Sequence, residues 1–362
     1  MTLNQAIRAA AAFAIVAAST IAPSAFAADF SGKTIKLVIG QSPGGGTDTL
    51  ARTWAPFLSK HLPGKPNVVI EAQTGAGGMQ AINFVYEKAR PDGLTLAWGG
   101  FNPVGMATGA QGLRADFTKF EFIGAGSSGG RVQITRTDVN PPLKKSEDIM
   151  KVQGLKQAGF RPTESLDIVG RLGFDVMGVK YRYVPGYQGA AKILPAMLQG
   201  EIDGMTTGIT SLRTAFGPQM VDQGKAIALW YFPFFDINGN PVTNPDFKDN
   251  EPALHEVYKK VHGKDPSGMH WETLKWMQTV SGKTSMTVFA PPKTPKDIVD
   301  TLRKAYEAAK VDPELKPALV KSTGTDMVYV TIPEGLKIVQ MAQNPDPKIV
   351  TFLKEYIAAA EQ

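Results

Sequence analysis

Two glycine-rich loops constrain this chain more than any other feature: Ser42-Pro43-Gly44-Gly45-Gly46-Thr47-Asp48 and Thr74-Gly75-Ala76-Gly77-Gly78. Each follows an apolar, β-branched run and precedes a segment with apolar residues at helical spacing. Strand, glycine loop and helix, taken twice, describe successive βα units. Right-handed crossovers then place both loops at one edge of a parallel sheet, where open α/β sheets bind ligands. Glycine admits bare backbone N–H groups close to a guest, and the helix N-terminus behind each loop adds partial positive charge. The expected guest is an anion, most simply a carboxylate.

Strands are predicted at 34–39, 68–70 and 94–98, giving βαβαβ. Leu50, Trp54, Phe57 and Leu58 form one helical stripe, and Ile82, Val85, Tyr86 and Ala89 the next. Pro56 inside the first stripe predicts a kinked or shortened helix. Asp48 or Thr47 is its expected cap, and Arg52, one turn on, the structural partner of a carboxylate. Further strands are expected at 120–123 and 132–134. Between them Gly124-Ala125-Gly126-Ser127-Ser128-Gly129 is a formal G-x-G-x-x-G. It opens a strand-like run and not a helix, so a crossover between domains suits it better than a dinucleotide site.

From about Arg131 the pattern restarts. Thr163 is the expected N-cap of a helix through Leu166, Val169 and Leu172. Strands are predicted at 181–184 and 226–230, with a helical stripe at Ile193, Leu194, Met197 and Leu198 between them. Residues 236–250 are polar and turn-rich, and 251–280 reads as interrupted helix. A strand at 286–289 can return to the first unit, and Thr294-Pro295 starts a helix with proline in its first turn. Aromatic residues at loop ends, Phe101 and Tyr187 above all and Trp98 less so, either face the cleft or fill core.

Residues 1–27 read as an export signal: Arg8, an apolar stretch from Ala9 to Ile21, and the small-x-small site Ala25-Phe26-Ala27. The chain is expected to be cut before Ala28, leaving 335 residues, which suits two domains. The formal charge of +6 falls to +5 without Arg8, and the basic residues are dispersed, so no nucleic-acid partner is expected. Cysteine is absent, which excludes disulfides and thiolate metal sites. His61, His255, His262 and His270 are too scattered to suggest a metal set. No nucleophile–base pair is evident, so no catalytic residue and no cofactor are expected. A secreted hydrolase remains the alternative from another class.

In order along the chain stand PGGGxDxxAR after a strand, then Gly75-Ala76-Gly77-Gly78 and Arg90-Pro91-Asp92-Gly93-Leu94-Thr95-Leu96. Val184-Pro185-Gly186-Tyr187-Gln188-Gly189, Gly200-Glu201-Ile202-Asp203 and Ala290-Pro291-Pro292-Lys293-Thr294-Pro295 follow. In that order they resemble the Bug-type periplasmic receptors of tripartite tricarboxylate transporters, over most of the mature chain. The resemblance implies a type II periplasmic binding fold, two α/β lobes with a ligand cleft between them. The lobes would be 28–130 with 284–362, and 131–283. It implies a monomer that takes a small anionic organic acid, such as a dicarboxylate or an aromatic acid, to membrane permease subunits. A ligand-sensing subunit of a signalling system is the other output of such a fold.

The implied ligand contacts are Ser42, Gly44, Gly45, Gly46, Thr47 and Asp48 in the first loop and Thr74, Gly75, Ala76, Gly77 and Gly78 in the second. Phe101 joins them, with Tyr187, Gln188 and Asp203 from the second lobe. One departure stands out. Where the family has a Gly-Ser loop opening the second lobe, this chain has Gly159 to Ser165, making Arg161, Thr163 and Ser165 candidates. Arg161 pairs either with a second ligand carboxylate or with Glu164 or Asp167. Segment 236–282 is longer than the family leads one to expect.

Overall fold

A computed structural model describes residues 28–361 apart from 42, 45, 188, 245–246 and 248–250. The expected export signal therefore lies outside the described residues. In chain order the first unit comprises β1 (Thr34–Ile39), α1 (Gly46–His61), β2 (Asn67–Ala72), α2 (Met79–Glu87), β3 (Thr95–Trp98), α3 (Pro103–Thr108) and β4 (Glu121–Ser127). The chain then enters β5 (Arg131–Arg136), β6 (Leu155–Ala158), α4 (Ser165–Met177), β7 (Tyr181–Val184), α5 (Ala190–Leu198), β8 (Gly204–Gly208) and β9 (Ala226–Phe232). A short hairpin, β10 (Phe234–Phe235) and β11 (Pro241–Val242), precedes α6 (Leu254–His262) and α7 (Met269–Ser281). Last come β12 (Met286–Ala290), α8 (Lys296–Lys310), α9 (Leu315–Thr323), β13 (Val328–Tyr329), α10 (Ile332–Gln343) and α11 (Pro347–Ala359).

These strands make two principal sheets, ordered β13-β4-β12-β3-β1-β2 and β7-β6-β8-β5-β9. Leu37 of β1 pairs in parallel with both Ile70 and Leu96, so the βαβαβ expectation holds. β12 returns antiparallel between β3 and β4. The G-x-G-x-x-G stretch is mostly strand, Gly124 to Ser127 lying in β4 against β12, and only its end, from Ser128, crosses from the first sheet to β5 of the second. The fold is a two-lobed α/β architecture of the type II periplasmic binding class.

The first sheet buries Ile35, Leu37 and Leu96 against α1 and α8, where Trp54 stacks on Tyr306 at 4.7 Å. Full burial of such side chains stabilises by about 1.5–3 kcal/mol each. A second core joins the sheets. It runs from Val38 and Ala97 through Leu274, Met277 and Val280 of α7 to Ile168, Leu172 and Trp230.

Three local expectations are corrected. α1 is not shortened at Pro56 but runs on to His61, because tertiary burial of Trp54 and Leu58 on either side outweighs one missing hydrogen bond. Glu164, not Thr163, holds the N-cap position of α4, without a side-chain cap. Pro295 caps α8 from outside its first turn. The π-helical stretch Leu212–Val221 was not foreseen.

Candidate functional site

The first glycine loop is shaped from within. Asp48, buried in the first turn of α1, accepts the Gly44 N–H at 2.9 Å and the Arg52 Nε at 2.9 Å. Arg52 holds its carboxyl below the usual range, against the opposing effect of burial. Arg52 is thus a structural partner, as expected, and Asp48 organises the loop. Gly44 lies at φ 80°, a conformation that favours glycine. Ser42 and Gly45 lie outside the described residues. The second loop has Gly75 at φ 140°, Ala76 at 46° and Gly78 at 90°. The loops touch: a Cβ on Gly40 would fall 2.5 Å from Gly78 Cα.

Between the two sheets lies a cleft of about 460 Å³. Gly46, Thr47 and Leu50 of α1 form one wall, and Phe160, Leu166 and Thr207 the facing one. The floor is the double crossing of the chain, Ser127 to Arg131 outward and Ser281 to Met286 on the return. Hydroxyls dominate the polar lining, among them Thr47, Ser127, Thr207, Ser281 and Ser285.

Arg131 is the single charged residue among the described residues lining this cleft. Its Nη1 donates to Gln278 Oε1 at 2.6 Å and reaches Ser281 Oγ at 3.5 Å, and its Nη2 reaches Ser165 Oγ at 3.5 Å. Gln278 spends its Nε2 on the Phe232 and Pro233 carbonyls, which leaves its oxygen turned to the guanidinium. No carboxylate lies within ion-pair distance of Arg131 among the described residues. Burial draws its pKa down to about 10, partly offset by Glu164. Glu164 itself is bonded to Arg161 at 2.8 Å. Arg131 was not foreseen as a site residue. Its sequence signal was only an arginine opening a strand after a run of small residues.

No family model matches the chain. Over 88 residues it is 41% identical to a UPF0065 protein in the gbd 5' region of Cupriavidus necator, covering 24% of this chain and 26% of that one. The match thus spans about a quarter of the curated relative's length. A TctC solute binding protein from Polaromonas superposes with a TM-score of 0.62 at 19% identity, over 90% of this chain and 98% of the other. Rpa4515 of R. palustris, solved with adipate, gives 0.64 at 19% identity, over 92% and 99%. MatC of Rhodopseudomonas palustris, with bound malate, gives 0.57 at 21%, over 91% and 97%. The chain has the fold of the TctC and Bug receptors. The resemblance carried by the ordered motifs therefore holds.

Within this TctC-type fold the expected contacts separate. Gly46 and Thr47 line the cleft, and Ser165 reaches its arginine. Ala76, Arg161 and Thr163 instead line a neighbouring cavity of about 540 Å³, closed by Lys354 and Ile357 of α11. Thr74 and Gly75 are exposed beside it, Gly77 belongs to the 3₁₀ turn 76–78, and Gly78 is buried against Gly40. Arg161 is exposed and makes the Glu164 pair, one of its two foreseen roles.

Asp167 is the buried acid here, accepting the Phe160 and Arg161 N–H groups at 2.5 and 2.8 Å and the Tyr183 hydroxyl at 2.7 Å. Phe101 packs in core, its ring 5.2 Å from Phe117 and 6.0 Å from Phe289. Trp98 is core likewise, 5.8 Å from Trp54. Tyr187 lies against the second-lobe core and donates its N–H to the Gly159 carbonyl at 3.2 Å. Asp203 clamps β6, accepting the Lys156 N–H at 2.8 Å and returning its own N–H at 2.9 Å. Burial of apolar rings and pairing of backbone groups account for these four departures from the cleft lining. Gln188 lies outside the described residues.

Proposed function

We propose that this chain is an exported receptor that binds a small carboxylate in the inter-sheet cleft and delivers it to the permease of a tripartite tricarboxylate-type transporter. The observation that carries this reading is the cleft's position. It lies where the N-terminal turn of α1 meets the second sheet, on the two segments by which the chain crosses between sheets. In such a place a ligand bridges two bodies and biases their closure. Neighbours of this fold solved with malate and with adipate support an acid as guest. The lobes in this reading are 28–130 with 284–362, and 131–283, and the protein acts as a periplasmic monomer after removal of residues 1–27.

Binding and not turnover is the activity proposed. The described lining offers hydroxyls but no histidine, cysteine or carboxylate to activate one. Titration calorimetry of the purified protein against a panel of mono- and dicarboxylates, with native mass spectrometry for a co-purified acid, tests the reading. Saturable binding of at least one acid is expected. Binding of none, or hydrolysis of ester analogues, would overturn it.

A further inference from the structure

We propose that Arg131 is the charge-pairing residue of this receptor, taking one ligand carboxylate through its guanidinium while the rest of the cleft receives a neutral, hydroxyl-bearing body. This deepens the carboxylate-receptor reading and rests on it.

The argument starts from the residue's surroundings. A guanidinium offers five N–H donors in a fixed fork. Here it meets three neutral acceptors, and two of those contacts are 3.5 Å long. The acid whose charge acts on it, Glu164, is already committed to Arg161. A partly buried cation without a counter-charge is costly, and an incoming carboxylate removes that cost while making charge-assisted bonds. The cage also fixes the direction of the fork. Gln278 is locked by two backbone carbonyls and holds one edge, so the guanidinium is preorganised before the ligand arrives.

The remainder of the lining sets the ligand body. Leu50, Phe160, Leu166 and Met286 supply apolar surface, and hydroxyls from both sheets stand between them. No second cation lines the cleft among the described residues, and the ionised Asp48 sits behind the first turn of α1. A second carboxylate would lose its water without gaining a counter-ion.

The test uses two series of probes, aliphatic (6-hydroxyhexanoate, its primary amide, adipate) and aromatic (4-hydroxybenzoate, its primary amide, terephthalate). Each is titrated into wild type, Arg131→Gln and Arg131→Lys. In whichever series binds, the hydroxy acid should exceed its amide by roughly 10- to 100-fold, and Arg131→Gln should abolish that preference. Arg131→Lys should restore part of it, since it keeps the charge and loses the fork.

The wild-type comparison of acid with amide needs no variant, so misfolding of Arg131→Gln leaves the proposal exposed. Equal binding of acid and amide by wild type, or an undiminished preference in folded Arg131→Gln, would overturn the arginine's role and leave the receptor reading standing. A diacid that outbinds its hydroxy acid would overturn the single-charge assignment. No binding by any acid would overturn the receptor reading and this proposal with it.

Discussion

Arg161 and Glu164 face each other across one turn at 2.8 Å, and both remain substantially open to water. Pairs of this kind contribute little, because solvent screens the attraction and two long side chains lose freedom in making it. Arg161→Ala should therefore change unfolding free energy by less than about 1 kcal/mol. It should also leave affinity for a cleft-bound acid unchanged in calorimetry. A tenfold loss of affinity would place Arg161 at the ligand after all. Three residues beyond Glu164, Asp167 behaves differently. Burial pushes its pKa up to about 6 from an ordinary 3.8, against the lowering effect of its three hydrogen bonds. The folded state thus binds that proton more tightly than the unfolded chain does. Its contribution to stability is greatest below the unfolded pKa and is lost as pH rises through about 6. Asp167→Asn should flatten the stability curve between pH 4 and 7 by on the order of 1–3 kcal/mol in urea melts. An unaltered slope would mean that the carboxyl titrates as it does when unfolded.

The two glycine loops bear on each other, and their mutual contact is stricter than either loop's own geometry. A Cβ at Gly40 would meet the backbone of Gly78 at 2.5 Å, whereas one at Gly44 would meet nothing within 4 Å. Backbone cannot rotate aside as a side chain does. Gly40→Ala should accordingly cost about 1–3 kcal/mol of stability and displace the second loop. Gly44→Ala should cost only the strain of its positive φ, roughly 1–2 kcal/mol. Chemical denaturation of both variants checks the order, and equal costs would deny that the loops bear on each other. The same contact explains a division the motifs did not reveal. The first loop passes directly into α1 and feeds the inter-sheet cleft, while the second turns through residues 76–78 and feeds the cavity beneath α11.

At the scale of the whole molecule, the two sheets share a core. The core that runs through α7 ties the sheets together, and α11 straps the second lobe. Tyr356 of α11 receives the Arg171 guanidinium over its ring at 4.7 Å, and its hydroxyl bonds Asp175. On the receptor reading proposed above, any closure pivots on the crossover segments while that core stays intact. Small-angle scattering should report a small fall in radius of gyration on saturation with a bound acid, and an unchanged profile would point to a cleft that is already closed. What the sequence alone determined is what local rules control: the βαβαβ start, the crossover after the small-residue run, the return strand and the convergence of the glycine loops. Periodicity and turn chemistry act over a few residues and are written in order along the chain. The Arg161–Glu164 pair was legible only as one alternative, beside Asp167 and a ligand carboxylate, its members lying one turn apart. Arg131 was not. Its environment is made by Ser165, 34 positions away, and Gln278, 147 positions away. A charge acquires a function from what surrounds it and from the water it has lost, and both are set only when distant segments close around it.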